Sequence, residues 1–277
     1  MNLEDMFREN RHHPFAFIQS KGNYGDHLIY AGAEKVANQL NLRYISTSHK
    51  SKIKSDTIIY LHGGGGYNSW WGWTGQLLRQ IRSRNPHNLI IVGPSTTSLE
   101  LEYLTKLLPK NDEKILFFAR EHTTYHFVKD NLFSKVYLDH DTALQLTLND
   151  EFLKKILKDI KNEANYSFLA LRDDKESDDL YPVNPEKFDI VCDPVLIEPA
   201  IIRKIHSFFG ITSKKWAKLH YQASKITTNR SHSAMLGSIL NKSVEIFANS
   251  YHKNRSIWEY SLRDRGITWV GPARAYT

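Results

Sequence analysis

The sequence predicts an α/β fold of two domains, each built on a parallel sheet that helices cover on both faces. Short apolar runs rich in β-branched residues alternate with amphipathic segments of helical spacing along most of the chain. Strands and helices that alternate in this way are typical of parallel sheets. A length of 277 residues suits two domains of modest size better than one large domain.

The N-terminal domain is predicted to span residues 1–150 and the C-terminal domain residues 151–277, with an amphipathic segment, Glu151–Asn165, at the junction. The predicted strands are Pro14–Ser20, Leu42–Ser46, Asp56–Gly63, Asn88–Gly93, Lys114–Arg120, Lys135–Asp141, Tyr166–Arg172, Phe188–Cys192, Ser224–Arg230 and Ser243–Asn249. The predicted helices are His27–Leu40, Gly75–Arg84, Ser98–Leu108, His122–Asn131, Ile201–Phe209, Ser213–Gln222, Ser231–Asn241 and Ser256–Gly266, the last a candidate to pack back on the N-terminal domain.

Composition restricts the class of protein. Hydrophobic residues make up 41% of the chain and aromatic residues 12%, which is enough for buried cores. Its apolar runs fall short of the roughly 20 residues that a membrane-spanning helix needs, and its start lacks the apolar run of a signal peptide. Cys192, the single cysteine, allows no internal disulfide and no cysteine metal cluster. We therefore expect a cytoplasmic protein.

The formal net charge of +7 favours anionic partners such as phosphates, acidic glycans or an anionic membrane face. The basic residues are scattered, which favours a solvated basic surface over a nucleic-acid site. We expect no nucleic-acid partner, and peripheral association with the inner membrane face is compatible with this charge.

Ligands of open α/β sheets bind at the carboxyl ends of the strands, and four predicted loops at that edge carry functional groups. In the first loop, Gly22 and Asn23 precede a helix whose free N–H groups favour anions. Asp26 is either a helix cap or a catalytic carboxylate. The G-x-G-x-x-G pattern of dinucleotide sites is absent, so a nicotinamide or flavin cofactor has little support.

The second loop contains four consecutive glycines, including Gly64 and Gly65, and continues through Asn68 to several tryptophans. A bare backbone of this kind predicts a cradle for an anion or substrate, with a flexible hairpin as the alternative. Trp70 and Trp71 are equally suited to a stacking platform for a sugar ring and to ordinary packing.

The third and fourth loops carry arginines and histidines. Arg120 ends a strand, where its guanidinium suits a carboxylate or phosphate, or else a salt bridge between elements. His122 and His126 have the spacing of a metal pair, but without an H-E-x-x-H context we favour a surface pair and expect no metal. Arg230 and His232 stand at the start of a predicted helix, which places a cation and an imidazole beside free N–H groups, with an interdomain salt bridge of Arg230 as the alternative.

Taken in order, these motifs resemble the polysaccharide pyruvyl transferase family. The matching segments are GNYGDHLIYAGAEKV, IIYLHGGGGYN, FFAREHTTYHFVK, VYLDHDTALQL and TTNRSHSAMLGSILNKSVEIFANSYHKN, within residues 14–262. The resemblance implies two Rossmann-like domains of the GT-B type, an acceptor side in the first and a donor side in the second. It also implies that a pyruvyl group passes from phosphoenolpyruvate, a substrate and not a cofactor, to paired hydroxyls of a sugar or lipid-linked oligosaccharide, forming a ketal in bacterial polysaccharide biosynthesis.

Carried over by position, Arg230 and His232 match the family's Arg-x-His motif, with Ser231 in place of the usual leucine. We expect His232 to be the general acid, Arg230 to hold the donor's phosphate or carboxylate, and Asp26 to be the base. Further donor contacts are expected from Arg120, Lys253, Arg172, Ser231 and Ser233. Acceptor contacts are expected from Gly22, Asn23, Gly64, Gly65, Asn68, Trp70 and Trp71.

Two other classes stay open at this point. A nucleotide-sugar glycosyltransferase of the same architecture would be stabilised by sugar nucleotides and not by phosphoenolpyruvate. A non-catalytic protein that binds anionic glycans or nucleic acid would lose affinity steeply with salt and would keep it without His232.

Overall fold

The computed structural model describes residues 1–20, 22–108, 110–163, 165–177, 182–209 and 212–271. The chain divides into two compact units. The first unit comprises Met1–Lys21 and Ile29–Gln145, and the second comprises Gly22–Leu28 and Leu146–Thr277. The sequence predicts a boundary after residue 150, with Gly22–Leu28 in the N-terminal domain.

The first unit contains a parallel sheet covered by helices. Its described strands are β1 (Phe15–Ile18), β2 (Tyr44–Thr47), β3 (Ile58–Leu61), β4 (Gly64–Tyr67), β5 (Ile90–Thr97), β6 (Ile115–Ala119) and β7 (Val136–Leu138). Their order is β2-β1-β3-β5-β6-β7, and β4 pairs with β5. The helices are α1 (Leu3–Glu9), α2 (Tyr24–Gln39), α3 (Trp73–Arg84), α4 (Leu101–Leu107) and α5 (His122–Asn131), followed by a 3-10 turn at Thr142–Gln145.

Alternate residues of the central strands serve the two faces of this sheet. Ile59 and Leu61 of β3 pack in a buried cluster with apolar residues of α3, α4 and α5. Ile58 and Tyr60 pack in a second cluster, with residues of α1 and α2. Both faces are therefore apolar, which explains why β3 reads as a continuous hydrophobic run and confirms the predicted parallel sheet with helices on both sides.

The glycine-rich segment forms a strand, whereas the sequence predicts a loop there. Gly64–Tyr67 forms β4, which runs parallel to the end of β5. A β-carbon at Gly63 would overlap the carbonyl oxygen of Pro94, and one at Gly66 would overlap the hydroxyl of Thr74. The close approach of neighbouring chain segments therefore requires glycine at these two positions.

The second unit has its own parallel sheet. Its described strands are β8 (Tyr166–Ala170), β9 (Ile190–Cys192), β10 (Ala223–Thr228), β11 (Ser243–Ile246) and β12 (Thr268–Trp269), in the order β9-β8-β10-β11-β12. The helices are α6 (Glu151–Leu157), α7 (Ala200–Phe209), α8 (Lys214–Gln222), α9 (Ser231–Ile239) and α10 (Lys253–Ile257), which continues as a π-helical turn, Trp258–Leu262, and a 3-10 turn, Arg263–Arg265. A further 3-10 turn lies at Pro185–Lys187.

The strand order of the second sheet determines where its functional groups meet. The chain passes from β8 to β9 on one side and returns to β10 on the other side of β8. The loops that follow β8 and β10 thus diverge at a topological switch point, the usual ligand position in such sheets. No helix in the described ranges combines the length and apolar character needed to cross a bilayer.

Candidate functional site

The carboxyl edge of the second sheet carries a chain of alternating charges, which we call the switch-point cluster. The loops after β8, β9 and β10 and the start of α10 all contribute to it. Its members are Arg172, Asp174, Glu176, Asp193, Arg230 and Lys253.

Each acid of the switch-point cluster contacts at least one of its cations. Asp174 lies 2.9 Å from Nε of Arg172 and 3.1 Å from Nη2 of Arg230. Glu176 accepts from Nη1 of Arg172 at 3.0 Å and from Nζ of Lys253. Asp193 pairs with Nη2 of Arg230. Arg172 therefore shares Asp174 with Arg230 and shares Glu176 with Lys253.

Burial and charge oppose each other in this cluster. Burial by itself would raise the pKa of Glu176, but the charges of Lys253 and Arg172 outweigh it and lower that pKa to about 2. Burial also opposes ionisation of Asp174, and the hydrogen bonds and charge of Arg172 lower its pKa to about 2. Burial lowers the pKa of Arg230, helped by the nearby Arg172. Asp174 and Glu176 are therefore ionised at neutral pH.

A short turn after β8 presents the two acids. The backbone N–H of Glu176 donates to Asp174 at 3.0 Å, and the hydroxyl of Ser177 donates to the carbonyl of Arg172 at 3.0 Å. The N–H of Ser250, ahead of α10, donates to the carbonyl of Glu176 at 3.2 Å. Local hydrogen bonds thus fold this turn, and one long-range bond ties it to the segment that carries Lys253.

His232 lies in the first turn of α9, and Arg230 is the residue immediately before that helix. The imidazole is partly exposed, and it packs against the backbone of Gly25 in the first turn of α2. A β-carbon at Gly25 would stand 2.5 Å from both Cβ and Nδ1 of His232. Glycine at this position therefore makes room for the imidazole.

The segment Gly22–Leu28 is anchored within the second unit, which explains its grouping there. The hydroxyl of Tyr24 donates to Glu198 at 2.9 Å, and Nδ1 of His27 lies 3.1 Å from the hydroxyl of Thr212. Ser213 donates to the other carboxylate oxygen of Glu198 at 2.6 Å. Burial, reinforced by Glu198, raises the pKa of Tyr24. The side chains of Tyr24 and His27 therefore hold Gly25, which lies between them in the chain, beside His232.

The predicted base Asp26 takes part in capping α2. Its carboxylate accepts from the N–H of Asn23 at 2.7 Å, and Oδ1 of Asn23 accepts from the N–H of Gly25 at 2.9 Å. A β-carbon at Gly22 would overlap the Asp26 carboxylate. Asp26 therefore has the capping contacts that were the alternative interpretation, and its role as a base stays a prediction.

Buried asparagines connect the strand ends beneath Arg230. Asn254 donates to the carbonyls of Asn229 and Phe247, and its Oδ1 accepts from the hydroxyl of Ser231 at 2.6 Å. Asn229 in turn accepts from the N–H of Arg172 at 2.7 Å. Ser231 is thus engaged in this network, and Ser233 is buried. Their predicted donor contacts are untested.

Arg120, the predicted donor contact of the first unit, is 2% exposed. It donates to the hydroxyl of Thr96 at 2.8 Å and pairs with Asp141 at 2.6 Å, so it has the salt bridge that was the alternative interpretation. The rings of His122 and His126 lie 6.2 Å apart. Within the described ranges, no three metal-ligating side chains are grouped.

Asn68 is fully buried and uses its amide to shape the segment after β4. It donates to the carbonyl of Gly65 and accepts from the N–H of Trp71, each at 2.9 Å. Trp71 is 42% exposed, and Trp70 is partly exposed. The acceptor contacts predicted for Gly22, Asn23, Gly64, Gly65, Asn68, Trp70 and Trp71 stay predictions.

Sequence reasoning missed the three acids of the switch-point cluster. Asp174 and Glu176 lie in the charged segment DDKESDDLYPVNP, between two predicted strands, where the sequence predicts no site residue. Asp193 directly follows the strand FDIVC, and its position at a strand end was the signal that could have identified it. Arg230 and Lys253 come from parts of the chain far from these acids, so spacing alone does not pair them.

Fold and site together define an α/β protein with two doubly wound parallel sheets and buried cations beside an imidazole at one switch point. A model of the family described as polysaccharide pyruvyl transferase matches residues 23–252. The chain belongs to the polysaccharide pyruvyl transferase family, as its motifs predicted, and this membership supports its assignment as a transferase.

The fold has a counterpart among solved structures. The crystal structure of a functionally uncharacterized protein from Klebsiella pneumoniae matches with a TM-score of 0.72 and 21% sequence identity, over 97% of each chain. This similarity bears on the fold alone. No curated protein sequence matches significantly.

Proposed function

We propose that the protein transfers a pyruvyl group from phosphoenolpyruvate to two hydroxyls of one sugar, which forms a ketal on a bacterial polysaccharide or its lipid-linked precursor. The observation that carries the proposal is the position of Arg230 and His232 together at the start of α9, in a chain of this family. A guanidinium, an imidazole and free helix N–H groups suit a small dianionic donor.

Arg230 has a donor available for such an anion. Its Nη2 pairs with Asp174 and Asp193, but among the described residues its Nε has no hydrogen-bond partner. The side chain is 7% exposed, and a buried guanidinium N–H without an acceptor is unfavourable. A carboxylate or phosphate oxygen of the donor would supply the missing acceptor.

The reaction follows from these groups. His232 protonates the methylene carbon of phosphoenolpyruvate, which breaks the carbon–carbon double bond and leaves a cationic carbon that bears the phosphate oxygen. A sugar hydroxyl adds to this carbon and loses its proton to a base, for which Asp26 is the candidate. The carbon–oxygen bond to phosphate then breaks, phosphate departs, and a second hydroxyl adds and loses its proton. Arg230 stabilises the charge on the phosphate and carboxylate.

The test is incubation with phosphoenolpyruvate and a panel of lipid-linked and model glycosides. We expect a mass gain of one pyruvyl ketal on an acceptor and release of one phosphate per transfer. Stabilisation by sugar nucleotides without any response to phosphoenolpyruvate would instead indicate a glycosyltransferase. Adding anionic vesicles to the same assay tests the proposed peripheral association with a membrane.

Replacement of His232 tests its role as the acid. His232→Ala should reduce pyruvyl transfer by about 100-fold or more, since general acids commonly contribute that much. His126→Ala, at an exposed position of α5, is the matched control and should keep full activity. Near-normal turnover in His232→Ala would contradict the assigned role.

A further inference from the structure

Two helices of the second unit, α6 and α8, carry the same spacing of lysines. Each has the pattern Lys-Lys-x-x-Lys, and the two helices pack against each other. Side chains with this spacing lie on one side of a helix. All six are exposed, and we call them the lysine face: Lys154, Lys155 and the C-cap Lys158 of α6, and Lys214, Lys215 and Lys218 of α8.

The other sides of these two helices are buried. Leu153 and Ile156 are the buried residues of α6, and Trp216 and Ala217 of α8 are buried as well. The apolar residues thus serve packing inside the second unit, and the lysines lie at its surface. The lysine face is therefore accessible to a partner.

The two halves of the lysine face adjoin, and most of its charges are unpaired. Nζ of Lys214 lies 4.0 Å from Asp159, the residue after Lys158. Lys154 pairs with Glu151 at 3.3 Å. Among the described residues, no carboxylate lies within salt-bridge distance of the other four lysines, Lys155, Lys158, Lys215 and Lys218.

The lysines at the start of α8 are unfavourable for the helix itself. Lys214 and Lys215 directly follow the N-cap Ser213, and the first turn contains no acidic residue. The N-terminus of a helix carries a partial positive charge, so cations in the first turn lower its stability. Folding therefore does not account for these charges, whereas an anionic partner would.

A groove with a volume of about 460 Å³ adjoins the α6 half of the lysine face. The partly exposed Phe152 lines it together with the three lysines of α6 and Glu151. Lysines combined with an aromatic side chain are typical of surfaces that lie on a membrane, where the ring enters the headgroup region. The lysine face contains no arginine, the side chain that proteins prefer for nucleic-acid recognition. These features favour a membrane as the partner.

We propose that the lysine face binds the phosphate headgroups of an anionic lipid membrane and holds the protein beside a lipid-linked acceptor. The inference rests on the proposed function, because a lipid-linked acceptor is the reason to expect a membrane as partner, and it adds the surface that makes the contact. Groups of about four to eight basic side chains are typical of surfaces that bind anionic lipids.

Co-sedimentation with lipid vesicles tests the contact without donor or acceptor. The wild-type protein should bind vesicles that contain phosphatidylglycerol and should not bind vesicles of phosphatidylcholine alone. The binding should weaken as the salt concentration rises, because salt screens the attraction between exposed charges. Absence of binding to the anionic vesicles would overturn the proposal.

Matched variants locate the binding surface. Three variants each remove two positive charges from exposed lysines: Lys155→Gln with Lys158→Gln on α6, Lys215→Gln with Lys218→Gln on α8, and, as a control outside the lysine face, Lys52→Gln with Lys54→Gln.

Each variant of the lysine face should weaken vesicle binding by about 25-fold, since a lysine at an anionic surface contributes about fivefold. The control should weaken it by less than about threefold, because its lysines lie outside the proposed contact. Circular dichroism should be unchanged in all three. Equal weakening in all three variants would show a response to net charge alone and would overturn the proposal, as would a loss confined to one helix.

Activity separates this proposal from the proposed function. With a water-soluble glycoside as acceptor, the variants of the lysine face should transfer pyruvyl groups as fast as wild type. With a lipid-linked acceptor in anionic vesicles, their turnover should fall with their affinity. If wild type transfers no pyruvyl group, the proposed function fails, and vesicle binding still tests the lysine face. Binding to a DNA duplex as tight as that to anionic vesicles would indicate a general polyanion surface and contradict the assignment to lipid.

Discussion

The backbone of Gly25 lies directly against the imidazole of His232. A β-carbon at Gly25 would stand 2.5 Å from Cβ and from Nδ1 of that histidine, well inside contact distance. The hydrogen bonds of Tyr24 and His27 to Glu198 and Thr212 hold this part of α2 in place. The first turn of α2 therefore determines where the proposed acid can lie.

Gly25→Ala should displace His232 and reduce pyruvyl transfer by about 100-fold or more, the usual contribution of a general acid. Alanine favours helix, so the fold should survive and circular dichroism should be unchanged. Because both changes act on one group, the double variant with His232→Ala should be no slower than either single variant. Additive losses in turnover would contradict the displacement.

Gly75→Ala is the matched control for that experiment. Gly75 also lies in a helix, α3, where a β-carbon would stand 2.5 Å from the side chain of Leu107. We expect Gly75→Ala to lower the unfolding free energy and to keep the turnover per folded molecule. Equal loss of turnover in both glycine variants would indicate a general packing effect.

Arg230→Lys should weaken donor binding by about tenfold or more, because an ammonium cannot reproduce the planar fork of a guanidinium. The Kd for phosphoenolpyruvate, measured by calorimetry, is the readout. Arg255→Lys is the control: Arg255 is a partly exposed arginine of the same unit that pairs with the exposed Glu259, and its replacement should leave the Kd unchanged. An unaltered Kd in Arg230→Lys would remove Arg230 from the donor site.

His62 should make stability depend on pH. It is fully buried, and burial lowers its pKa to about 3. The unfolded chain binds a proton near pH 6.5 and the folded chain does not, so stability is fully present above that pH and falls as the pH drops toward 3. At pH 5 this amounts to about 2 kcal/mol for one such histidine.

Replacing His62 isolates that contribution. His62→Leu should reduce the loss of unfolding free energy between pH 7 and pH 5, measured by urea titration. Part of the dependence of the unfolding free energy on pH should remain, because burial also lowers the pKa of His27 and of His220, each to about 4. His126 is exposed, so His126→Leu should keep the full dependence of the unfolding free energy on pH. A slope in His62→Leu equal to that of wild type would be the contrary result.

Asn254→Ala should destabilise the protein and disturb the start of α9. The amide serves three partners, Ser231 and the carbonyls of Asn229 and Phe247, and it is fully buried. Loss of these bonds should lower the unfolding free energy by about 2–4 kcal/mol, since buried groups left unsatisfied are costly. Urea unfolding measures this change, and the exposed Asn162→Ala should have little effect. A loss below about 0.5 kcal/mol would contradict the bridging role.

Much of the fold follows from local pattern. The predicted helix His122–Asn131 has the bounds of α5, and the runs predicted around β3, β6 and β8 are strands. Hydrophobic periodicity depends on neighbouring residues, which the sequence displays directly. The short elements α1, β4 and β12 were not predicted. β4 in particular contains three glycines that disfavour strand in isolation, and pairing with β5 stabilises it.

For the candidate site, too, one part follows from the sequence and the other part only from the tertiary structure. The motif with Arg230 and His232 is contiguous, so the sequence by itself determined the family and the most promising residues. Only the tertiary structure decided which groups meet them: Glu176 lies 77 residues from Lys253, and Asp174 lies 56 from Arg230. The reason is that the parallel strand order brings distant loops to one edge of the sheet, where ion pairing depends on distance in space and not along the chain.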